Sequence, residues 1–302
     1  MKVVIMEINK SAIIAITGRP NVGKSTLVNR FVGEKVSIVT NKPQTTRKRI
    51  YAILNRGDTQ LVFVDTPGFH KPRSLLGRYM VNTVRESMAG VDAIVLMVEP
   101  YNNIGGPEEH LIEHIKKSGL PSVLIINKID TTEKSELLGI IETYSKHHAF
   151  EHIIPISALS GDGVEQLLDI LDSYAIEGPA LFPEDMITDQ PERQIVAEMV
   201  REKLLICLEH EIPHGTAVEV TRFSERQDNE IIDIDVTIFC EKQSHKRIII
   251  GKNGTMIKKI GELARKDIER FMGTKVFLQT WVKVRENWRD KSGMLKNFGY
   301  YG

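Results

Sequence analysis

Eight consecutive residues constrain this chain more than any other feature. Gly18-Arg19-Pro20-Asn21-Val22-Gly23-Lys24-Ser25 fits G-x-x-x-x-G-K-[ST], follows the β-rich apolar run Ile13–Thr17 and opens the helical pattern Leu27–Val32. A strand, a glycine loop and a helix in that order curl backbone N–H groups around phosphate oxygens, with the partial positive charge of the helix N-terminus behind them. The pattern predicts that Lys24 reaches the β/γ-phosphate oxygens and that Ser25 offers its hydroxyl to magnesium, with Gly18 through Thr26 as the phosphate-contacting set.

From Ser11 to about Ser173, apolar runs alternate with helical patterns, as a doubly wound, mostly parallel α/β sheet requires. The runs are Ile13–Thr17, Ile50–Leu54, Leu61–Val64, Ala93–Val98, Val123–Ile126 and Ile153–Ile156. Only the short turn Asn55-Arg56-Gly57-Asp58 separates the second from the third, so one strand is expected to run antiparallel.

Two further strings sit at strand ends in the right order. Val123–Ile126 ends in Asn127-Lys128-Ile129-Asp130, and a carboxylate there accepts from both the ring N–H and the exocyclic amine of guanine, whereas the ring acceptor of adenine would repel it. Ser157-Ala158-Leu159 follows the next strand, where backbone N–H groups can meet the guanine carbonyl. Asp65-Thr66-Pro67-Gly68 closes Leu61–Val64, placing a carboxylate to hold magnesium and the Gly68 N–H to face the γ-phosphate, with Phe69 beside it. Asp65, Thr66, Pro67, Gly68, Phe69, Asn127, Lys128, Ile129, Asp130, Ser157 and Ala158 therefore join the candidate nucleotide site.

A chain of 302 residues has room for two domains. The segment Ile176 to Glu192 carries Pro179, Pro183 and Pro191, a density that reads as a linker. Forty basic residues cancel forty acidic ones, but unevenly: residues 181–240 hold five Lys+Arg against 14 Asp+Glu, and residues 241–302 hold 15 against six. A domain polarised in this way can present a basic face to phosphates while staying neutral overall. A hydrophobic fraction of 41% excludes wholesale disorder, and Cys207 and Cys240 are too few for a disulfide framework, so a reducing compartment, the cytoplasm, is expected. The N-terminal apolar stretch is broken by Glu7 and Lys10 and does not read as a signal peptide.

Beyond the linker the expected order is a helix (about 194–210), strands around Val218–Phe223 and Ile231–Phe239, a helix from about Thr255 to Phe271, and a strand around Val276–Val284. The apolar run Ile248–Ile250 reads as a strand leading into Gly251-Lys252-Asn253-Gly254, a G-x-x-G loop that opens the next helix. Two glycines let a backbone pass close to sugar-phosphate, and Lys246, Arg247, Lys252, Lys258 and Lys259 bracket the loop as a landing site for single-stranded nucleic acid. Trp281 and Trp288 read as packing or docking groups rather than base-stacking ones, and Phe298, Tyr300 and Tyr301 lie in a tail with no legible role.

Residues 11–173 resemble the translation-factor-related class of P-loop GTPases, and residues 192–284 resemble a type II, bacterial-type KH domain. Taken together the chain resembles the Era family of bacterial ribosome-assembly GTPases: an α/β GTPase domain (1–175), a Pro-rich linker (176–191), an α+β KH domain (192–284) and a tail (285–302). The resemblance implies GTP and GDP as ligands with Mg2+, and a nucleotide-sensitive segment at Val36–Arg49 whose magnesium-binding threonine is Thr46, with Thr45 a close alternative. It makes Lys24, Thr46 and Gly68 the residues closest to the chemistry, and Ser25, Thr46 and Asp65 the magnesium set. Phe69 stands where Ras-like proteins carry a water-positioning Gln, and in related GTPases with a hydrophobic residue there an asparagine at the place of Asn21 helps bind K+. The family further implies the 3′ end of small-subunit ribosomal RNA and the 30S subunit as partners of a monomer, and peripheral association with the inner face of the membrane. A P-loop kinase, or a GTPase whose second domain tethers protein or membrane, are the competing readings.

Overall fold

A computed structural model of the chain describes residues 7–226 and 231–300 and divides into two compact units. The division does not follow the chain linearly. One unit holds residues up to Ser37, Thr46–Lys71 and Met80–Asp189; the other holds Ile38–Thr45, Pro72–Tyr79 and the chain from Gln190 onward.

The first unit is built on β1 (Lys10–Gly18), α1 (Lys24–Val32), β2 (Ile50–Arg56), β3 (Thr59–Asp65), most of α2 (Leu75–Glu86), β4 (Ala93–Val98), α3 (Gly106–Ser118), β5 (Ser122–Ile126), α4 (Lys134–His147), β6 (His152–Pro155), α5 (Val164–Asp172) and β7 (Ile176–Glu177). Strands lie in the order β2-β3-β1-β4-β5-β6, all parallel except β2, which the two-residue turn Gly57-Asp58 folds antiparallel onto β3; Asn55 and Arg56, expected in the turn, end β2 instead. Successive strand residues point to opposite faces, so each apolar run serves two cores. Ile14, Ile16, Val95 and Met97 pack with Leu27, Phe31, Leu167 and Leu171 on one face. Ala15, Ile94, Leu96 and Val98 pack with Val84, Leu111, Ile115 and Tyr144 on the other. The glycine loop and the strings after β3, β5 and β6 thereby emerge at the same, C-terminal edge of the sheet, where α/β sheets bind ligands.

The proline-rich segment is not a free tether. Its first residues form β7, antiparallel to β1. Farther on, Ile53 N–H donates to Ile187 O at 2.9 Å, Ala52 bridges Thr188, Tyr51 N–H donates to Asp189 Oδ1 at 3.0 Å, and Gln60 binds the backbone of Leu181 and Phe182. The segment thus lies along the outer edge of β2 and covers backbone groups that an edge strand would leave open. Prolines fit such a strap because it needs few N–H donors.

The second unit contains α6 (Glu192–Cys207), β8 (Ala217–Glu225), β9 (Ile231–Cys240), α7 (Gln243–Ile250), α8 (Thr255–Met272), β10 (Lys275–Val284) and α9 (Ser292–Asn297). The sheet order is β10-β9-β8, with β8 antiparallel and β10 parallel to β9. Ile232, Ile234, Val236 and Ile238 of β9 meet Val196, Val200 and Leu204 of α6 and Ile260, Ala264 and Ile268 of α8 in one core. The apolar run Ile248–Ile250 corrects the expected strand: it ends helix α7. Its hydrogen bonds are helical, Lys246 N–H to Lys242 O and Gly251 N–H to Arg247 O, and only Ile249 of the three isoleucines is buried. A β-branched triplet has strand propensity, but the polar residues before it complete two helical turns and tertiary packing of a single isoleucine decides. The G-x-x-G loop therefore joins two helices.

The tail packs into the second unit through Trp288, Phe298 and Tyr300. Trp288 is fully buried, donates Nε1–H to Gly215 O at 2.9 Å, and packs against Phe298 and Tyr300; Tyr301 lies outside the described residues. Trp281, by contrast, is 44% exposed on β10 and does not belong to the core. Among the described residues no helix is long and apolar enough to cross a membrane.

Candidate nucleotide and nucleic-acid sites

The glycine loop is closed around its own backbone. Gly18 has φ +154, and a Cβ there would stand 2.3 Å from Met97 O; Gly23 has φ +107, and a Cβ would stand 2.2 Å from Asn127 Nδ2. Only glycine lets β4 and Asn127 approach this closely. Lys24 lies buried inside the loop, donating to Arg19 O at 2.9 Å and Gly18 O at 3.2 Å. Burial pulls its ammonium down to about 8, opposed by the charge of Asp65. A lysine held on backbone carbonyls and short of counter-charge is poised to exchange those bonds for phosphate oxygens.

Beside it, hydroxyl and carboxylate groups converge. Ser25 Oγ lies 2.8 Å from Asp65 Oδ2 and 2.9 Å from Thr46 Oγ1, and Ser37 Oγ donates to the same Asp65 oxygen at 2.9 Å. Asp65 is completely buried, its Oδ1 has no hydrogen-bond partner, and burial raises its pKa against the opposing effects of Lys24 and the two serines. An orphaned carboxylate oxygen beside two hydroxyls suits a small, hard divalent cation, so these residues fit magnesium. Thr45 is elsewhere: its hydroxyl bonds Thr40 Oγ1 at 2.7 Å and Lys42 O at 2.6 Å. Ser37 is a member of this cluster that the sequence did not single out; its only signal is its place in the segment leading to Thr46.

Asn127 ties the base end to the phosphate end. Its Nδ2 donates to Val22 O at 2.7 Å and its Oδ1 accepts from Ala158 N–H at 2.8 Å. Lys128 adopts a left-handed conformation, φ 68, and pairs with Glu99 at 2.5 Å; Asp130 follows, exposed, in a single helical turn over Ile129–Thr131. Arg30 of α1 donates to Ala158 O at 2.7 Å and also to Leu159 O, fixing the loop after β6; sequence spacing gives no hint of this role. Gly68 sits against Pro20, with room for no Cβ, and Phe69 donates its N–H to Gly18 O while its ring stacks on His110 at 4.9 Å. Thr66 Oγ1 donates to Ile16 O, and Pro67 is buried beside it, so both brace the turn. Arg19 turns outward to Glu108 at 2.9 Å, and Asn21 is exposed at φ 67.

The other glycine loop is open. Gly251 (φ +76) closes against Met256, where a Cβ would stand 2.7 Å away, but around Gly254 (φ +79) nothing lies within 4 Å of a Cβ position. Lys252, Asn253, Lys258, Lys259 and Arg247 are exposed and Lys246 is half-buried, all within one turn or two of the loop.

Comparisons with known proteins agree with both halves. A family model described as "50S ribosome-binding GTPase" matches residues 13–128, and one described as "KH domain" matches residues 211–289. GTPase Era of Ruminiclostridium cellulolyticum is 51% identical over 291 residues, covering 96% of this chain and 97% of the relative. The chain belongs to the Era family of GTPases. A crystal structure of Era in complex with MgGDPNP and nucleotides 1506–1542 of 16S ribosomal RNA matches with TM-score 0.94 at 37% identity, over 97% of this chain and all of that one. A crystal structure of a single-residue variant of Aquifex aeolicus Era bound to GDP.AlF4- matches equally, with the same score, identity and coverage. As an Era-family enzyme the chain hydrolyses GTP.

Proposed function

We propose that this protein is a magnesium-dependent GTP switch whose second unit binds the 3′ end of small-subunit ribosomal RNA and assists assembly of that subunit. The observation that carries the reading is the convergence of Ser25, the residue after the loop lysine, with the Thr46 hydroxyl and with Asp65, whose Oδ2 accepts from Ser25 while its Oδ1 has no partner. Ser25, Thr46 and Asp65 would hold the cation, which supplies positive charge to the β/γ oxygens when bound. Lys24 neutralises the same oxygens, the Gly68 N–H faces the γ-phosphate, and Asp130 with the Ser157–Ala158 backbone reads guanine.

A phenyl ring cannot orient a water, so Phe69 leaves that task to the backbone of the turn and to Thr46. In this reading Asn21 helps hold K+, whose charge offsets that of the leaving phosphate. Replacing K+ by Na+ at fixed ionic strength should slow turnover severalfold; equal rates would remove Asn21 from this role.

Support for the RNA half comes from the open G-x-x-G loop and its exposed lysines, together with the solved complex of an Era with 16S ribosomal RNA. Crosslinking in cells and sequencing of the attached RNA should recover the small-subunit 3′ end, and recovery of unrelated RNA would overturn the assignment. Asp130→Asn should lower GTP affinity on the order of 100-fold and favour xanthosine triphosphate, because the variant amide opposes the ring N–H of guanine.

A further inference from the structure

The ring of Phe69 is held from outside the nucleotide loops. It stacks on the imidazole of His110 in α3, with centroids 4.9 Å apart and planes 20° from parallel. His110 is itself one of a pair. One helical turn on, His114 meets it edge-on at 4.7 Å, and the two Nε2 atoms lie 3.2 Å apart. From α2, the Arg85 guanidinium stands 3.5 Å from the same His110 nitrogen. Arginine can only donate, so His110 Nε2 offers its lone pair there, and the proton between the two rings belongs to His114.

The backbone of the turn rests on the glycine loop: the Phe69 N–H donates to Gly18 O at 3.1 Å, and Gly68 lies against Pro20. The Phe69 side chain is half-buried at the margin of the core that α3 shares with β4 and β5. A phenyl ring at such a margin keeps more than one orientation open unless a flat partner selects one, and His110 is that partner. Gly68 and Phe69 share a peptide unit with the chain between them, so fixing the ring fixes the aim of the Gly68 N–H.

We propose that His110 is a positioning residue for GTP hydrolysis: its stack on Phe69 holds the turn so that the Gly68 N–H meets the γ-phosphate, and a second proton on the His110–His114 pair releases it. This deepens the role given to Gly68 above and rests on it. The sign follows from the distances. With both imidazoles charged, N–H groups oppose each other across 3.2 Å and the guanidinium opposes at 3.5 Å, whereas the attraction of a cationic ring for Phe69 acts over 4.9 Å. Repulsion prevails, and the rings part. Burial, then the charges of His110, Arg85 and Lys117, lower the pKa of His114 against the pull of Glu113, so the second proton arrives only in mildly acid solution. Glu108, two residues before His110, is taken by Arg19 at 2.9 Å, and on the turn itself His70 Nδ1 lies 2.9 Å from Gly68 O.

The test is steady-state GTP turnover without RNA between about pH 7.5 and about pH 5.5, for the full chain and for His110→Ala, His110→Phe and Gly68→Ala. At the upper pH, His110→Ala should lose roughly tenfold in kcat with KM and GDP affinity within about twofold of wild type. His110→Phe, which keeps a flat ring against Phe69, should recover most of that loss. On acidification wild-type kcat should fall toward that of His110→Ala, while His110→Phe, with no second imidazole to charge beside His114, should hold. The ratio of those two rates cancels the titration of the nucleotide and of Lys24, which both proteins share.

An unchanged kcat in His110→Ala, no recovery in His110→Phe, or a ratio that stays constant with pH would overturn the proposal. Equal losses in kcat, KM and GDP affinity would also overturn it, because they would make His110 a structural support of the whole site. Gly68→Ala separates this from the role of Gly68: a slow Gly68→Ala beside an unaffected His110→Ala removes the stack alone, and normal turnover in Gly68→Ala removes both.

Discussion

The two glycine loops of this molecule solve opposite problems. At Gly18 and Gly23 the place a Cβ would take is already occupied, by Met97 O and Asn127 Nδ2. Around Gly254 there is open space, and its neighbours Lys252 and Asn253 face solvent. A closed loop fixes each N–H and ammonium for one compact polyphosphate, which gives discrimination. An open loop holds a continuing chain by charge and backbone contact, which gives tolerance. Glycine serves packing in the first and passage in the second.

The contrast can be broken most sharply at Gly23. Gly23→Ala places a methyl on Asn127 at a φ that L-residues avoid, and clash plus strain of about 4 kcal/mol should weaken GDP binding by roughly a thousandfold in calorimetry. A loss below tenfold would mean that the loop is softer than its packing indicates. Lys24→Ala removes a charged partner of the phosphates and should cost about 2–3 kcal/mol, on the order of 100-fold in GDP affinity. The same lysine predicts a pH dependence. Its ammonium, lowered to about 8 in the free protein, is the form that phosphate prefers, so above pH 8 each binding event must take up a proton. Affinity is then full only well below pH 8, is about halved at pH 8 and falls about fivefold more between pH 8 and 9; titration of Lys24→Ala across the same range should be flat. At the open loop the effect is smaller. Gly254→Ala meets no atom and pays only for its left-handed backbone, about 1–2 kcal/mol, so RNA affinity in an anisotropy assay should fall about tenfold, with nucleotide binding untouched.

What the sequence disclosed follows the same division between local and distant causes. That the three strings of the candidate nucleotide site, Gly18–Ser25, Asp65–Gly68 and Asn127–Asp130, meet at one sheet edge was readable because each follows a strand of the alternating pattern. Spacing gave no ground for choosing between Thr45 and Thr46; in the fold the Thr46 hydroxyl lies beside Ser25 and that of Thr45 beside Thr40 and Lys42. Ile248–Ile250 misled because propensity favours a strand, while burial of Ile249 alone favours a helix. The proline segment gave no sign of lying along β2, since the pairing uses backbone and the Gln60 amide. Nor does any pattern announce that Arg201, Glu202 and Lys203 are buried, because helical periodicity spreads them round the helix and only the arrival of residues 38–45 and Asp267 covers them.

The division of labour between the loops is tested most directly by Lys252→Asp combined with Asn253→Asp, assayed for GTP turnover without RNA and for binding of a labelled single-stranded RNA carrying the small-subunit 3′ end. The account predicts turnover within about twofold of wild type and RNA affinity reduced by roughly tenfold or more. Undiminished RNA binding, or RNA binding and turnover lost together in a folded protein, would contradict it.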